Sequence, residues 1–332
     1  MIKELTLKGF KSFFDETLAI APLTVLTGLN SSGKSSVIQA FRMLRNRGPL
    51  PGHGTSEELT NIYYGQRYSI QIKYTDLKGQ ECYMGFGPEA QRRVMGYYGI
   101  PQFTYVSADR YGPRTSIPIN NTHQLGERGD NVLRIIADNE WTELDKRLKH
   151  EKSEGDTFGY NLQAWLGCIS PGVEFRSKIE PMTDSSYSIF DGHRATNVGF
   201  GLSYTLPIIV ALFMSTLNRD KRVYHPVVLL ENPEAHLHPK GQTEMARLIC
   251  SAVDAGTQVV VETHSDHLYD GIRIYAKNHP GFAAKVATHW FELDEKKLTS
   301  VQSPKMDDSG NLDFWPEGLF DQFGLNATEL IG

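Results

Sequence analysis

The chain reads Gly28-Leu29-Asn30-Ser31-Ser32-Gly33-Lys34-Ser35 directly after the apolar run Leu23-Thr24-Val25-Leu26. The two glycines allow backbone angles that a side chain would forbid, so consecutive N–H groups can turn toward a phosphate chain. The following residues, 37–44, have the pattern of a helix whose positive N-terminal end faces the same phosphates. Strand, loop and helix in this order predict a phosphate-binding loop for a nucleoside triphosphate.

Each polar position of this loop has an expected role. Lys34 adds a positive charge for the β- and γ-phosphates, and Ser35 offers a hydroxyl to Mg²⁺. The predicted nucleotide ligands of the loop are Gly28, Asn30, Ser31, Ser32, Gly33, Lys34, Ser35 and Ser36. A glycine- and serine-rich turn that binds nothing is disfavoured, because eight positions and both flanks agree with the motif.

The composition is that of an ordinary globular protein. Hydrophobic residues make up 40% and charged residues 22% of 332 residues, enough for one large domain or two modest ones. The net charge of −5 argues against coating DNA non-specifically. Cys82, Cys168 and Cys250 have no pairing or metal-type spacing, and no apolar stretch approaches the roughly 18 to 20 residues that span a bilayer. We therefore expect a reduced, cytoplasmic protein without a membrane segment.

The hydrophobic pattern changes along the chain and predicts three segments. Residues 1–115 form an N-terminal lobe, which contains the phosphate loop and an antiparallel β subdomain that starts with a hairpin within residues 2–27. Residues 116–195 form an inserted helical subdomain with helical spacing at 132–136, 141–148 and 162–165. Residues 196–332 form a C-terminal lobe in which an apolar helix precedes two unalternated strands, typical of a sheet covered on both faces.

The first of these two strands ends in a carboxylate. Four β-forming residues, Val227-Val228-Leu229-Leu230, deliver Glu231 at the strand end, as in a Walker B element. A carboxylate after so apolar a run needs a cation partner, so we expect Glu231 to hold Mg²⁺ together with Ser35.

The second strand ends in a histidine. The sequence Val259-Val260-Val261-Glu262-Thr263-His264 places this histidine 33 residues after Glu231, where its imidazole can lie against the γ-phosphate. A histidine at a strand end is more often structural, but the order of the elements favours the functional interpretation here.

Taken together, the motifs resemble those of the ABC-type ATPases, specifically the OLD-like and RecF/SMC-like group. The matching stretches are Gly9-Phe10-Lys11-Ser12-Phe13, residues 28–36, residues 231–239, residues 262–267 and the signature-like Asn197-Val198-Gly199-Phe200-Gly201-Leu202-Ser203. The resemblance implies an α/β fold, that of a P-loop NTPase of the ABC-ATPase head type. Its mixed sheet core carries an antiparallel β subdomain and an inserted helical subdomain.

The resemblance also implies a head-to-tail homodimer with two ATP molecules at the interface. Each ATP would lie between the phosphate loop of one subunit, aided by Lys11, and Gly201 and Ser203 of the other subunit. A higher oligomer is compatible with this arrangement. The expected catalytic residues are Lys34, Glu231, Glu234 and His264.

Three departures from the family pattern affect the signature, hydrolysis and coupling. Of the family's Leu-Ser-Gly-Gly-Gln signature, only Gly201-Leu202-Ser203 remains. Asn232 stands where ABC ATPases usually have a glutamate, so we expect slow turnover or a role for Glu234. The segment 108–114 occupies the place of the Q-loop but lacks its glutamine. Asp109 or Arg110 can take over that function, and a surface ion pair is an equally good interpretation.

The biological role remains open between three alternatives. The chain lacks a long heptad stretch and the acidic pattern of a nuclease domain, which favours the ATPase subunit of an anti-phage system with a separate nuclease or toxin as effector. A RecF-like repair protein would bind DNA through a basic groove, for which the candidates are Lys146, Arg147, Lys149, Lys152, Arg176 and Lys178. Asn232 also allows a scaffold that ATP locks without hydrolysis.

Overall fold

The computed structural model describes residues 1–64, 69–87, 90–95 (backbone only), 101–119, 122, 124–217 and 226–331. The strands are β1 (Ile2–Phe10), β2 (Phe13–Ala19), β3 (Leu23–Gly28), β4 (Ile70–Asp76), β5 (Glu81–Gly87), β6 (Ala90–Met95), β7 (Phe103–Val106), β8 (Ile117–Pro118), β9 (Phe175–Glu180), β10 (Ser185–Phe190), β11 (His193–Arg194), β12 (Val227–Glu231), β13 (Gln258–Glu262), β14 (Val286–Leu293) and β15 (Thr299–Gln302). The helices are α1 (Lys34–Asn46), α2 (Ser56–Leu59), α3 (Val132–Asn139), α4 (Phe158–Ile169), α5 (Phe200–Leu217), α6 (Pro239–Asp254), α7 (Asp266–Asn278) and α8 (Gln322–Ile331).

The chain divides into two compact units. Unit 1 comprises Met1–Phe103 and His279–Gly332, and unit 2 comprises Thr104–Asn278. This division follows compactness, so the three sequence segments 1–115, 116–195 and 196–332 stay a prediction.

Unit 1 contains an antiparallel sheet and a mixed sheet. The antiparallel strands follow the order β2-β1-β4-β5-β6, and β1 and β2 form the hairpin that the alternating pattern predicts. Leu5 and Leu7 of β1 are fully buried on one face of this sheet. In the mixed sheet, β14 runs parallel to β3 and antiparallel to β15. The phosphate loop therefore begins at a strand that is buried along its whole length.

Unit 2 contains the two apolar strands and most of the helices. Strands β12 and β13 are parallel, with Leu229 opposite Val260, and their apolar residues are buried as the unalternated runs predict. Helix α6 packs on α4, α5 and α7. A small sheet joins β10 to β8, β9 and β11. Strand β12 thus ends at Glu231, the predicted Walker B carboxylate, and β13 ends at Glu262, two residues before His264.

Two sequence predictions fail in unit 2. The spacing at 141–148 predicted a helix, but these residues form turns, because the backbone of Leu144 and Thr142 bonds to Asp156 and Phe158 instead. We also expected no apolar segment long enough to span a membrane. By length and composition, α5 is long and apolar enough, and 61% of it is buried inside the protein.

Candidate nucleotide-binding site

In unit 1, the phosphate loop joins β3 to α1 through residues with positive φ. Gly28 has φ 141°, Ser31 has φ 63° and Gly33 has φ 113°. A Cβ on Gly28 would lie 2.1 Å from the carbonyl oxygen of Phe291, and one on Gly33 would lie 2.9 Å from the Phe13 ring. Both glycines are therefore required by backbone angle and by space.

The charged residue of this loop is held inward by the loop itself. Lys34 is 3% exposed, and its Nζ donates to the carbonyl oxygens of Gly28 at 3.0 Å and Leu29 at 2.6 Å. The Ser32 hydroxyl donates to the same Leu29 carbonyl at 2.7 Å. The loop thus encloses a fixed positive charge at the start of a helix, which is the electrostatic requirement for binding a phosphate chain.

The remaining loop residues of the predicted ligand set differ in exposure. Asn30, Ser31 and Ser35 are exposed, whereas Ser36 is buried in the first turn of α1. Ser35 is the residue of this loop whose hydroxyl the sequence assigns to Mg²⁺, and that assignment stays a prediction. Ser36 N donates to the Gly33 carbonyl, so this residue stabilises the turn between loop and helix.

Lys11 lies at the turn between β1 and β2 in the left-handed region, with φ 53°. Its Nζ donates to Gln39 of α1, and burial lowers the pKa of its ammonium group. Lys11 also lines a cavity of about 350 Å³, together with Ser12, His53, Glu58, Leu59, Thr60, Asn61, Ile62, Tyr63, Lys297 and Leu298. This volume is typical of a small-molecule site, and sequence reasoning missed it because its residues come from three distant segments.

In unit 2, Glu231 is oriented by two donors at the end of β12. Its Oε2 accepts hydrogen bonds from the Tyr105 hydroxyl at 2.8 Å and from Ala108 N at 3.1 Å. Among the described residues, no hydrogen bond reaches Oε1 of this carboxylate. A carboxylate oxygen of this kind suits Mg²⁺, which prefers oxygen ligands and uses one or two carboxylates.

Arg110 is the main functional candidate that sequence reasoning underestimated. It is 2% exposed, and its guanidinium donates to the carbonyls of Ser107, Glu231 and Asn232, each at 2.7 Å. Burial lowers the pKa of Arg110 to about 10, so the group stays charged at neutral pH. The surface ion pair that the sequence allowed is formed by Asp109 and Arg128, whereas Arg110 fixes the end of the Walker B strand.

Two further residues of the Walker B turn carry polar atoms in buried positions. Asn232 has φ 44°, and its side-chain oxygen is buried without a hydrogen-bond partner among the described residues. Glu234 is 9% exposed and accepts a 2.9 Å hydrogen bond from His264 N. Burial raises the pKa of the Glu234 carboxyl. His264 lies two residues after the end of β13 and its side chain is exposed, so the hydrogen bond from its backbone N to Glu234 joins two predicted catalytic residues.

Of the signature-like stretch, residues 200–203 lie in the first turn of α5 and residues 197–199 precede the helix. A Cβ on Gly201 would lie 2.7 Å from the His236 carbonyl oxygen, so glycine permits close approach of the helix to the Walker B turn. The ring of Tyr204 lies 4.8 Å from that of His236 and 5.1 Å from the Arg110 guanidinium. Ser203 is half-buried. Arg110 thus contacts both the Walker B strand end and the signature helix.

These residues fit ATP and Mg²⁺ as ligands. Gly28 and Gly33 have the positive φ angles that a phosphate-binding loop requires, and Lys34 supplies the buried charge. In the described part of the chain, no group of three His, Cys, Asp or Glu residues could hold a metal by itself. A magnesium ion shared with phosphates needs no such group.

The fold is similar to that of SMC head domains. The Smc head domain with an extended coiled coil, bound to the C-terminal domain of ScpA and derived from Pyrococcus furiosus, is 14% identical, with a TM-score of 0.56 and 99% of each chain covered. An SmcHead bound to the C-winged helix domain of ScpA is 15% identical, with a TM-score of 0.51 and coverage of 93% of this chain and 98% of that chain. The recombination mediator protein RecF-ATPrS matches at 10% identity and a TM-score of 0.49, covering 88% and 96%.

The first two likenesses confirm the predicted α/β fold of a P-loop ATPase head, with a mixed sheet and antiparallel sheets. Comparison with curated proteins gave no match. Residues 283–330 match a family described as a protein of unknown function, DUF3696. A model of the AAA ATPase domain, AAA_15, matches residues 1–164 and 136–269. Since this match spans well over half of the 332 residues, the chain belongs to the AAA ATPase domain family.

Proposed function

We propose that this protein is a dimeric switch that closes when it binds ATP and Mg²⁺ and reopens after slow hydrolysis or product release. The observation that carries the proposal is the phosphate loop of unit 1, where Gly28 and Gly33 permit the tight, positive-φ turn and Lys34 is buried with its ammonium group bonded to the loop carbonyls. The cavity lined by Lys11 supports the proposal, since it lies in the same unit and has the size of a small-molecule site.

In this proposal, Ser35 and Glu231 are the protein ligands of Mg²⁺, which neutralises charge on the phosphates. Tyr105 and Ala108 orient the Glu231 carboxylate, so only its other oxygen is available to a cation. Lys34 and the loop N–H groups bind the phosphate chain. His264 is the proposed contact to the γ-phosphate, and its backbone is fixed by Glu234.

Water activation is assigned to Asn232 and Glu234. An amide oxygen accepts a hydrogen bond from water but cannot take its proton, so Asn232 orients the water. Glu234 is a carboxylate whose raised pKa makes it a better proton acceptor than an ordinary glutamate. Because the acceptor lies two residues beyond the usual position, we expect hydrolysis to be slow.

The dimer is proposed from the signature residues. Gly201 and Ser203 lie at the N-terminal end of α5, where the helix has a positive partial charge that stabilises an anion. Partly exposed Ser203 is available to a phosphate bound by a second subunit. A higher oligomer would need such dimers to associate through a further surface, and the protein is proposed to be cytoplasmic.

The proposed biological role is that of an ATPase subunit in bacterial anti-phage defence, acting on a separate nuclease or toxin. It is supported by the resemblance of the motifs to those of OLD-like ATPases. Copurification of a nuclease or toxin with the protein is the expected result. Activity of the protein alone on DNA ends would refute this role.

A RecF-like protein that binds DNA is the second candidate, but the charges of the described residues do not favour it. Among the candidates for a basic groove, Lys149 pairs with Glu143 and Asp156, Arg176 with Glu174 and Lys178 with Glu180. ATP-dependent DNA binding that weakens steeply with salt would favour this candidate.

Native mass measurement without nucleotide, with ADP and with ATP tests the switch. We expect dimers with ATP and Mg²⁺ for the wild-type protein and monomers for Lys34→Ala. A wild-type monomer at saturating ATP would refute the dimeric switch. Phosphate release from the wild type no faster than from Lys34→Ala would instead establish a scaffold that ATP locks without hydrolysis.

A further inference from the structure

We propose that the turn between β14 and β15, residues 293–299, is part of the nucleotide site. In this proposal Thr299 positions the phosphate loop and Lys297 contacts the bound nucleotide. The inference rests on the proposed function, since it assigns these residues to the same ATP. None of the sequence motifs includes this turn, and it lies beyond residue 269, where the AAA domain match ends.

Thr299 is hydrogen-bonded to both segments that it contacts. It is 6% exposed, and its Oγ1 lies 2.7 Å from Ser12 Oγ and 2.8 Å from the Ser32 carbonyl oxygen. Because the carbonyl can only accept and a hydroxyl has one proton, Ser12 supplies the proton for the other bond when Thr299 donates to Ser32. Thr299 N also donates to the Ser12 carbonyl at 2.9 Å. The turn is thus fixed to the phosphate loop through a chain of satisfied hydrogen bonds.

The bond to Ser32 fixes more than one atom. The Ser32 carbonyl and the Gly33 N–H belong to the same planar peptide group, so holding the oxygen also sets the direction of the N–H. A Cβ on Gly33 would lie 2.8 Å from Thr299 Oγ1, which shows how closely Thr299 packs against this peptide. Loop N–H groups are the donors that bind phosphate, so Thr299 acts on the ligand through the Ser32–Gly33 peptide.

Lys297 faces the cavity that Lys11 also lines. It has φ 59°, and the turn that carries it is held by Asp294, whose carboxylate accepts from Lys296 N and Leu298 N at 2.8 Å each. Among the described residues, the Lys297 side chain forms no ion pair, and it is exposed. Glu58, the acidic residue of the cavity, accepts instead from Thr55 N. Two lysines on one cavity favour an anionic ligand such as a nucleotide.

The test of Thr299 uses the full-length protein with Mg²⁺ and either ATP or ADP in titration calorimetry. Thr299→Val keeps the branched shape and the backbone bond but removes the hydroxyl, so we expect affinity for both nucleotides to fall about three- to tenfold. Thr299→Ser keeps the hydroxyl and should bind within about twofold of the wild type. For hydrolysis, KM should rise in the valine variant while kcat changes little.

The test of Lys297 compares two neighbouring lysines. Lys297→Gln should weaken ATP binding about threefold and reduce its dependence on salt, because a charge that meets the ligand is removed. Lys296→Gln removes a charge from the same turn at a position that does not line the cavity, and it should leave binding unchanged. Equal effects of the two substitutions would refute the contact assigned to Lys297.

The outcomes separate this inference from the proposed function. If the wild-type protein binds ATP no better than Lys34→Ala, the proposed function fails. If the wild type binds ATP and Thr299→Val binds it equally well, the role of Thr299 is refuted, even when the variant melts at a lower temperature. Loss of binding in Thr299→Ser as severe as in Thr299→Val would also refute it, since the hydroxyl would not be the cause.

Discussion

Replacing Arg110 with methionine should destabilise the protein by about 3–5 kcal/mol. The buried Arg110 guanidinium donates three hydrogen bonds of 2.7 Å to the carbonyls of half-buried residues. Three bonds from a charged donor set an upper limit of about 9 kcal/mol, and the cost of desolvating the guanidinium offsets part of it. Methionine fills the space but leaves these carbonyls without their donor. Arg110→Lys is expected to destabilise the protein by an intermediate amount, because one ammonium group cannot replace the planar guanidinium as a donor to all three carbonyls.

Thermal unfolding with and without ATP is the appropriate assay. For a unit of the size of unit 2, a loss of 3–5 kcal/mol lowers Tm by about 6–20 °C. Arg128→Met is the matched control. It breaks a pair with Asp109 in which both side chains are exposed, so it should cost less than about 1 kcal/mol.

Arg110→Met should also weaken the ATP-dependent dimerisation at temperatures where the variant is still folded. The reason is that Arg110 fixes the backbone of Glu231 and Asn232. A Tm for Arg110→Met as high as that of Arg128→Met would refute the reasoning. It would mean that the three bonds contribute nothing beyond the cost of burying the charge.

Three other outcomes are expected. In a urea titration, Gly28→Ala should destabilise the protein by more than about 2 kcal/mol, since its Cβ would lie 2.1 Å from the Phe291 carbonyl oxygen. The control Gly79→Ala places its Cβ near no other atom and should cost about 1 kcal/mol in the same titration. Burial raises the pKa of Glu234, so its ionised form is disfavoured in the folded state, and this penalty is relieved as pH falls through the raised pKa. The gain in unfolding free energy of Glu234→Gln over the wild type should therefore be larger at pH 8 than at pH 5. A gain that does not depend on pH would contradict this expectation. Removing Mg²⁺ with EDTA should abolish phosphate release and weaken ATP binding more than ADP binding, which calorimetry would measure.

The sequence was sufficient for the features that depend on local spacing. Eight contiguous residues predicted the phosphate loop, because a tight turn that exposes N–H groups restricts which residues can occupy Gly28 and Gly33. The apolar runs before Glu231 and His264 predicted buried parallel strands, since strands covered on both faces do not alternate. These patterns led from the sequence to the α/β ATPase fold that the comparisons confirm.

Features that depend on contacts between distant segments were decided by the tertiary structure. Spacing alone could not separate Arg110 from Asp109, because only burial shows that one fixes the Walker B strand end and the other pairs with Arg128. Residues 141–148 do not form the predicted helix, because their backbone groups form hydrogen bonds with residues 156 and 158. Thr299 is 267 residues from Ser32, yet a 2.8 Å hydrogen bond joins them. A local sequence pattern cannot predict such a contact, since only the packing of the folded chain brings the two atoms together.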